Sequence, residues 1–442
     1  MSLFKPKFLV SAAVAVALIA AGASYQYGRN SAEPVQPVQQ TAVVDDSSAV
    51  GDSIIARCAR AAGGKTQCYS TTLDSLASLG EVRLAMVSLK RILETDAGAK
   101  GDGHVFAHGI GIAAGKSKRD IAKLFAQCDE SSESGCYHGV LQGYFLTASQ
   151  VGPAEVNGAC ESFNGPDADR WIKFQCVRGT GHGLTMYYAH DVRQALRSCD
   201  YLTGDCDRRS CYAGVFMENI VNAQKPHPAE HMAGHDGINH EGMDMPSAPP
   251  KRAKPFKALD SANPLYPCSI MEERYLTACY EMQTAAILHL NGGNIGATAK
   301  TCDTAPRAMR YVCYQSLGRD ISALSFREHG AAIEMCGRGT EAYRPWCYFG
   351  LVKSFVNQNA SAGEGLAFCR KLTGEANKLK CYEAVGEQIG TLRNASAERT
   401  ALCEPAEAEF REACLFGARV AGVPRRLGDI NAIAATGPTP GV

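Results

Sequence analysis

The chain has 442 residues, in which 45 lysines and arginines are balanced by 45 aspartates and glutamates. Zero net charge and no concentrated basic stripe give no footprint for nucleic acid, and 44 glycines without a three-residue period exclude a collagen-like fibre. The length suffices for one large core or for two or three modest domains.

At the amino terminus, Lys5 and Lys7 precede an apolar run from Phe8 to Ala23, and Ala21-Gly22-Ala23 would suit a signal peptidase. Residues 1–24 are read as a signal peptide or as a membrane anchor, because the run is at the lower edge of what spans a bilayer. No cysteine precedes Cys58, which argues against lipoprotein-type cleavage. Either reading exports the chain, to the periplasm or an equivalent extracytoplasmic space, where its 19 cysteines should be paired. Residues 25–52 read as a flexible linker. There is no C-x-x-C, so a thioredoxin-like pair and c-type haem attachment are both unsupported.

The cysteines then set out the architecture. Residues 261–425 hold five regular pairs: Cys268/Cys279, Cys302/Cys313, Cys336/Cys347, Cys369/Cys381 and Cys403/Cys414. First and second members each recur every 33 or 34 residues, and the text after the second member repeats, as in "ACYEMQTAAI", "VCYQSLGRDI" and "KCYEAVGEQI". Each unit parses as a first helix ending near its first cysteine, a turn, and a second helix carrying the second cysteine. Residues 53–225 follow the same plan less evenly, with candidate pairs Cys58/Cys68, Cys128/Cys136, Cys160/Cys176 and Cys199/Cys211. Cys206 is left over; it can be reactive, buried, paired with another chain, or part of a different local connectivity. A mostly small residue three places after the second cysteine allows close helix approach. The expected fold is all-α: a right-handed solenoid of about eleven αα-hairpin repeats of ~34 residues, stapled by disulfides, with residues 426–442 as a tail.

This pattern resembles the disulfide-stapled helix-hairpin repeats of the tetratricopeptide and Sel1-like class. The resemblance covers period and architecture across most of the chain, not the residue signatures of those families. It implies a superhelix and says little about activity.

Counting 34 residues on from Cys68, or back from Cys136, reaches position 102. The stretch "HVFAHGIGIAAG" therefore fills a second-helix slot whose cysteine is absent. Its first-helix partner, near "VSLKRILETD", lacks cysteine too. His104 and His108 are four apart and share a helix face. With His138 and His182 they make four imidazoles on three second helices of neighbouring units. Glu218, on the following second helix, is a candidate carboxylate ligand or general base. Imidazole with carboxylate suits zinc, iron or copper; packing and hydrogen bonding are the plain alternative. Aligning the helices by His-Gly and by Cys gives different registers, so the order of these groups stays open.

Other motifs fail. "HVFAH" lacks the glutamate of H-E-x-x-H, Ile110 occupies the first glycine position of a phosphate loop, and no G-x-S-x-G occurs. Asn359 and Asn394 match a glycosylation acceptor, a pattern common by chance. Residues 226–260 interrupt the repeats with His227, His231, His235, His240, Met232, Met243 and Met245 among prolines. Imidazole with thioether favours copper, Cu(I) in particular, and a loop of this kind suits capture or delivery. Two functions are expected from these features. One is an exported metalloprotein holding copper or zinc through its histidines, with metal-assisted hydrolysis or redox chemistry if it is an enzyme. The other is a non-catalytic scaffold whose solenoid surface binds a protein partner.

Overall fold

The computed structural model describes residues 44–117, 120–165, 168–224 and 256–436. The export segment and the His/Met residues from His227 to Met245 lie outside them. Among the described residues the regular structure is entirely helical. None of these helices is long and apolar enough to cross a membrane. Two boundaries differ from expectation. A helix spans Val44–Cys58 and so begins inside the segment read as a linker, and Arg425–Thr436, read as tail, is helical as well.

Short acidic or amide side chains start many of the helices. Asp169 Oδ1 accepts from the Trp171 and Ile172 amides at 2.8 and 3.2 Å, and Asp120, Asp191, Asn294 and Glu328 cap their helices likewise. Each cap satisfies amides that the first helical turn leaves without partners.

Nine disulfides join the hairpins: Cys58–Cys68, Cys128–Cys136, Cys160–Cys176, Cys199–Cys211, Cys268–Cys279, Cys302–Cys313, Cys336–Cys347, Cys369–Cys381 and Cys403–Cys414. These are the pairs expected from the spacing, and their number fits an oxidising, extracytoplasmic compartment. Cys206 is a free, exposed thiol in the first turn of the Asp205–Gln224 helix. In several units the tyrosine after the second cysteine adds a polar tie. Tyr212 and Tyr314 donate to Asp200 and Asp303, the residues that follow the first cysteines of their own units, at 2.5 and 2.9 Å.

Second helices pack on one another in chain order. Lys65–Ser78 meets Gly103–Gly115, which meets Gly135–Leu146, then Arg170–Tyr187, then Asp205–Gln224. Asp205–Gln224 meets the broken pair Glu273–Tyr280 and Gln283–Leu290, and Arg307–Leu324, Arg344–Asn359, Glu375–Leu392 and Arg411–Gly417 complete the row. The row also meets itself. Arg170–Tyr187 packs on Glu375–Leu392, Trp171 Nε1 donates to Asn357 Oδ1 at 3.2 Å, and Asn394 Nδ2 donates to the Ala168 carbonyl at 2.8 Å. The last contact already engages the amide nitrogen that glycosylation of Asn394 would need.

Packing along this row is backbone against backbone. A Cβ added at Gly139 would lie 2.2 Å from the His108 carbonyl oxygen and 2.8 Å from Gly111 Cα. At Gly350 it would lie 1.8 Å from the Gln315 carbonyl oxygen. Both glycines stand three places after a second cysteine, the position read as small for this reason. Gly350→Ala should therefore destabilise the chain by about 1–3 kcal/mol or more, the usual cost of overpacking. Urea denaturation would measure this, and an unchanged midpoint would mean that the helices can part without cost.

Candidate metal centre

Gly103–Gly115 and its first helix, Val82–Thr95, form the hairpin without a staple. Around it the four histidines converge. Ring centroids are 4.5 Å apart for His104 and His108, 5.6 Å for His108 and His138, 5.4 Å for His108 and His182, and 4.8 Å for His138 and His182. His108, His138 and His182 are buried, and His104 is half-buried.

The cysteine register explains why they meet. Counted from the second-cysteine slot, His104, His138 and Arg178 occupy the second place after it. His108, Gln142 and His182 occupy the sixth, one helical turn further along the same face. The His138-Gly139 pair is thus out of register with the other two His-Gly pairs, and the cysteines give the alignment that the packing follows.

Every ring is fixed through one nitrogen. His104 Nδ1 meets the Ser132 carbonyl at 2.8 Å, and His182 Nδ1 meets Glu218 Oε2 at 2.9 Å. His108 Nδ1 meets Gln142 Oε1 at 2.6 Å, and His138 Nε2 meets Gln175 Oε1 at 3.1 Å. Gln142 Nε2 in turn donates to Glu218 Oε2 at 2.8 Å. A carbonyl and a carboxylate only accept, so His104 and His182 carry their protons on Nδ1. The same carboxylate turns the Gln142 amide nitrogen toward itself. That leaves Gln142 Oε1 for His108, whose Nδ1 is then the donor. In this arrangement Glu218 stands behind His182 as the group that orients it.

At the other nitrogens, His104 Nε2, His138 Nδ1 and His182 Nε2 are buried and have no hydrogen-bond partner among the described residues. Buried polar atoms normally find one. Burial pushes His138 well below the usual histidine range, with His182, His108 and Arg178 adding to the effect. Burial also lowers His182, against the opposing hydrogen bond and charge of Glu218. Burial thus favours the neutral form of His138 and His182, the state in which imidazole binds a metal.

The backbone beside His104 is strained. Ser132, Glu133 and Ser134 all have left-handed conformations, with φ of 51°, 56° and 63°. This turn delivers the Ser132 carbonyl to His104 and leads into Gly135. A Cβ at Gly135 would lie 2.9 Å from both the Ala107 Cβ and the His104 carbonyl oxygen.

Among the described residues, no three His, Cys, Asp or Glu side chains already stand as a ligand set around one point. His138 and His182 stack with their planes 11° apart, so their in-plane lone pairs run side by side and do not converge. Holding one ion through both would require one of these rings to turn. Sequence reasoning did not find Gln142, Gln175 or the Ser132 carbonyl as partners. For Gln142 the signal was present, since it lies 34 residues after His108 in the cysteine register. Comparison with protein-family models, with curated proteins and with solved structures finds no match to this chain.

The depressed histidines tie stability to pH. The unfolded chain binds protons near the ordinary value of about 6.5, whereas the folded chain resists them until lower pH. This stability is complete above about pH 6.5 and is lost as pH falls below it, by up to ~1.4 kcal/mol per pH unit for each such histidine. Denaturation midpoints of metal-free chain between pH 8 and 5 should show this slope, and His138→Leu should flatten it. Equal slopes in the two proteins would mean that His138 is protonated as readily in the fold as outside it.

Proposed function

We propose that this chain is an exported helical-repeat protein that binds a transition metal, copper or zinc, through His104, His108, His138 and His182. One observation carries the reading: among the described residues, three of these imidazoles keep a buried nitrogen without a hydrogen-bond partner, while the opposite nitrogen of each is held by a protein acceptor. Histidine ligands are commonly held in this way, the second nitrogen donating to a carboxylate, a carbonyl or a similar group that fixes tautomer and direction. We take Glu218 and Gln142 as that supporting layer, in preference to Glu218 as a ligand or a base. The ~34-residue period and the packing of second helices in chain order support a solenoid as the scaffold, which we take as right-handed. The His/Met segment, residues 226–246, is read as a separate collector of copper.

Elemental analysis of the full chain and of a chain lacking residues 226–246 tests this. A single equivalent of metal should survive the deletion and be lost in His138→Ala and His182→Ala while the helical spectrum is retained. Metal that disappears with the loop alone would assign all binding to the loop. No metal in either protein after reconstitution would make the imidazoles structural.

Glu218→Gln keeps the shape behind His182 but removes the charge. Metal affinity should fall about 10–100-fold, as for other supporting groups. Competition with a chelator would measure it, and unchanged affinity would remove Glu218 from the site.

A further inference from the structure

One turn before His182, on the same face of its helix, stands Arg178. Its Nη2 donates to Met217 Sδ at 3.1 Å and reaches Met282 Sδ at 3.8 Å. Arg319 converges on the same sulfur, with Nη1 at 2.6 Å from Met282 Sδ and 2.8 Å from the Glu281 carbonyl oxygen. That carbonyl lies in the break between Glu273–Tyr280 and Gln283–Leu290. Two guanidinium groups therefore meet at one thioether, a weak acceptor.

Their charges are unevenly answered. Arg319 is paired with Asp320 at 2.5 Å. Arg178 has no ion pair among the described residues; Glu281 and Glu133 act on it only from a distance. Two nearby lysines are matched, Lys353 by Glu387 at 2.9 Å and Lys380 by Glu383 at 2.5 Å. Burial, with the charge of Arg319 second, pushes Arg178 down to about 10. Arg178 is half-buried, so its guanidinium bears part of the cost of desolvation without an anion to offset it, and its planar fork matches the oxygens of carboxylate and phosphate.

We infer that Arg178 and Arg319 bind a small oxyanion, a carboxylate or a phosphate, beside the histidine cluster. The anion takes the guanidinium edge that now faces Met217 and Met282. This goes beyond the metal reading, and it is tested without metal.

The full chain, stripped with chelator, is titrated calorimetrically with inorganic phosphate and separately with acetate. Saturable binding of at least one is expected, and the tighter of the two identifies the class. Arg178→Gln should weaken it about tenfold or more. Arg178→Lys should fall between, because lysine keeps the charge and loses the fork. His138→Ala, which removes a proposed metal ligand, should still bind the anion. No saturable binding of either anion, or undiminished binding by Arg178→Gln, overturns the inference. Arg178→Met gives an independent readout: in anion-free buffer its denaturation midpoint should lie above that of the unsubstituted chain, since an unanswered charge has left the interior. A lower midpoint would make Arg178 a structural tie to the two methionines and would also overturn it.

Discussion

Backbone contact between successive second helices is the constraint on which the rest depends. Where Gly139 faces the His108 carbonyl and Gly111, no side chain stands between the two helices. Side chains that project beside such a crossing must meet. That is why imidazoles from three different hairpins reach centroid distances of 4.8–5.6 Å without any loop carrying them there. The disulfides act on the other side of each hairpin. In every hairpin but the unstapled one they fix the first helix to the second, and they leave the row of second helices free to be set by glycine contacts.

Within this frame one carboxylate organises much of the cluster. Glu218 accepts from His182 directly and from His108 through the Gln142 amide, so a single buried anion sets two tautomers. His104 receives the same treatment from a backbone carbonyl. The arrangement spends its acceptors on one side of the rings only. If His104, His138 and His182 served packing alone, their opposite nitrogens, without a partner among the described residues, would be an avoidable cost, since an unsatisfied buried polar group is worth about 1–3 kcal/mol. Leucine or phenylalanine would fill the same space without it.

Much of the helical plan was legible in the sequence because cysteine spacing is a long-range signal with little noise. The hairpin without a staple could be placed by counting 34 residues from either neighbour. The register of the histidines is ambiguous in the sequence, because His138-Gly139 and His182-Gly183 look equivalent and stand in different slots. The partners escaped for a different reason. Gln142 and Gln175 are common residues whose role exists only once neighbouring helices are placed, and a backbone carbonyl such as that of Ser132 has no sequence signature. Composition alone does not show where the first helix begins: the stretch from Val44 is polar enough to suit a linker, yet it is helical.

The strained turn at Ser132–Ser134 bears on what the cluster is for. Three consecutive non-glycine residues in the left-handed region cost on the order of 1–3 kcal/mol each. A hairpin connection has cheaper routes, with glycine at the left-handed positions. Glycine does follow immediately, at Gly135, but it is used there to let the chain pass Ala107 and the His104 carbonyl. The strain thus falls on the residues that aim the Ser132 carbonyl at His104, the least buried of the four histidines. His104 without that acceptor would be free to turn toward solvent. A fold that accepts such a cost to fix an otherwise peripheral ring points to a demand on that ring's direction, and direction matters for a ligand far more than for a packed side chain.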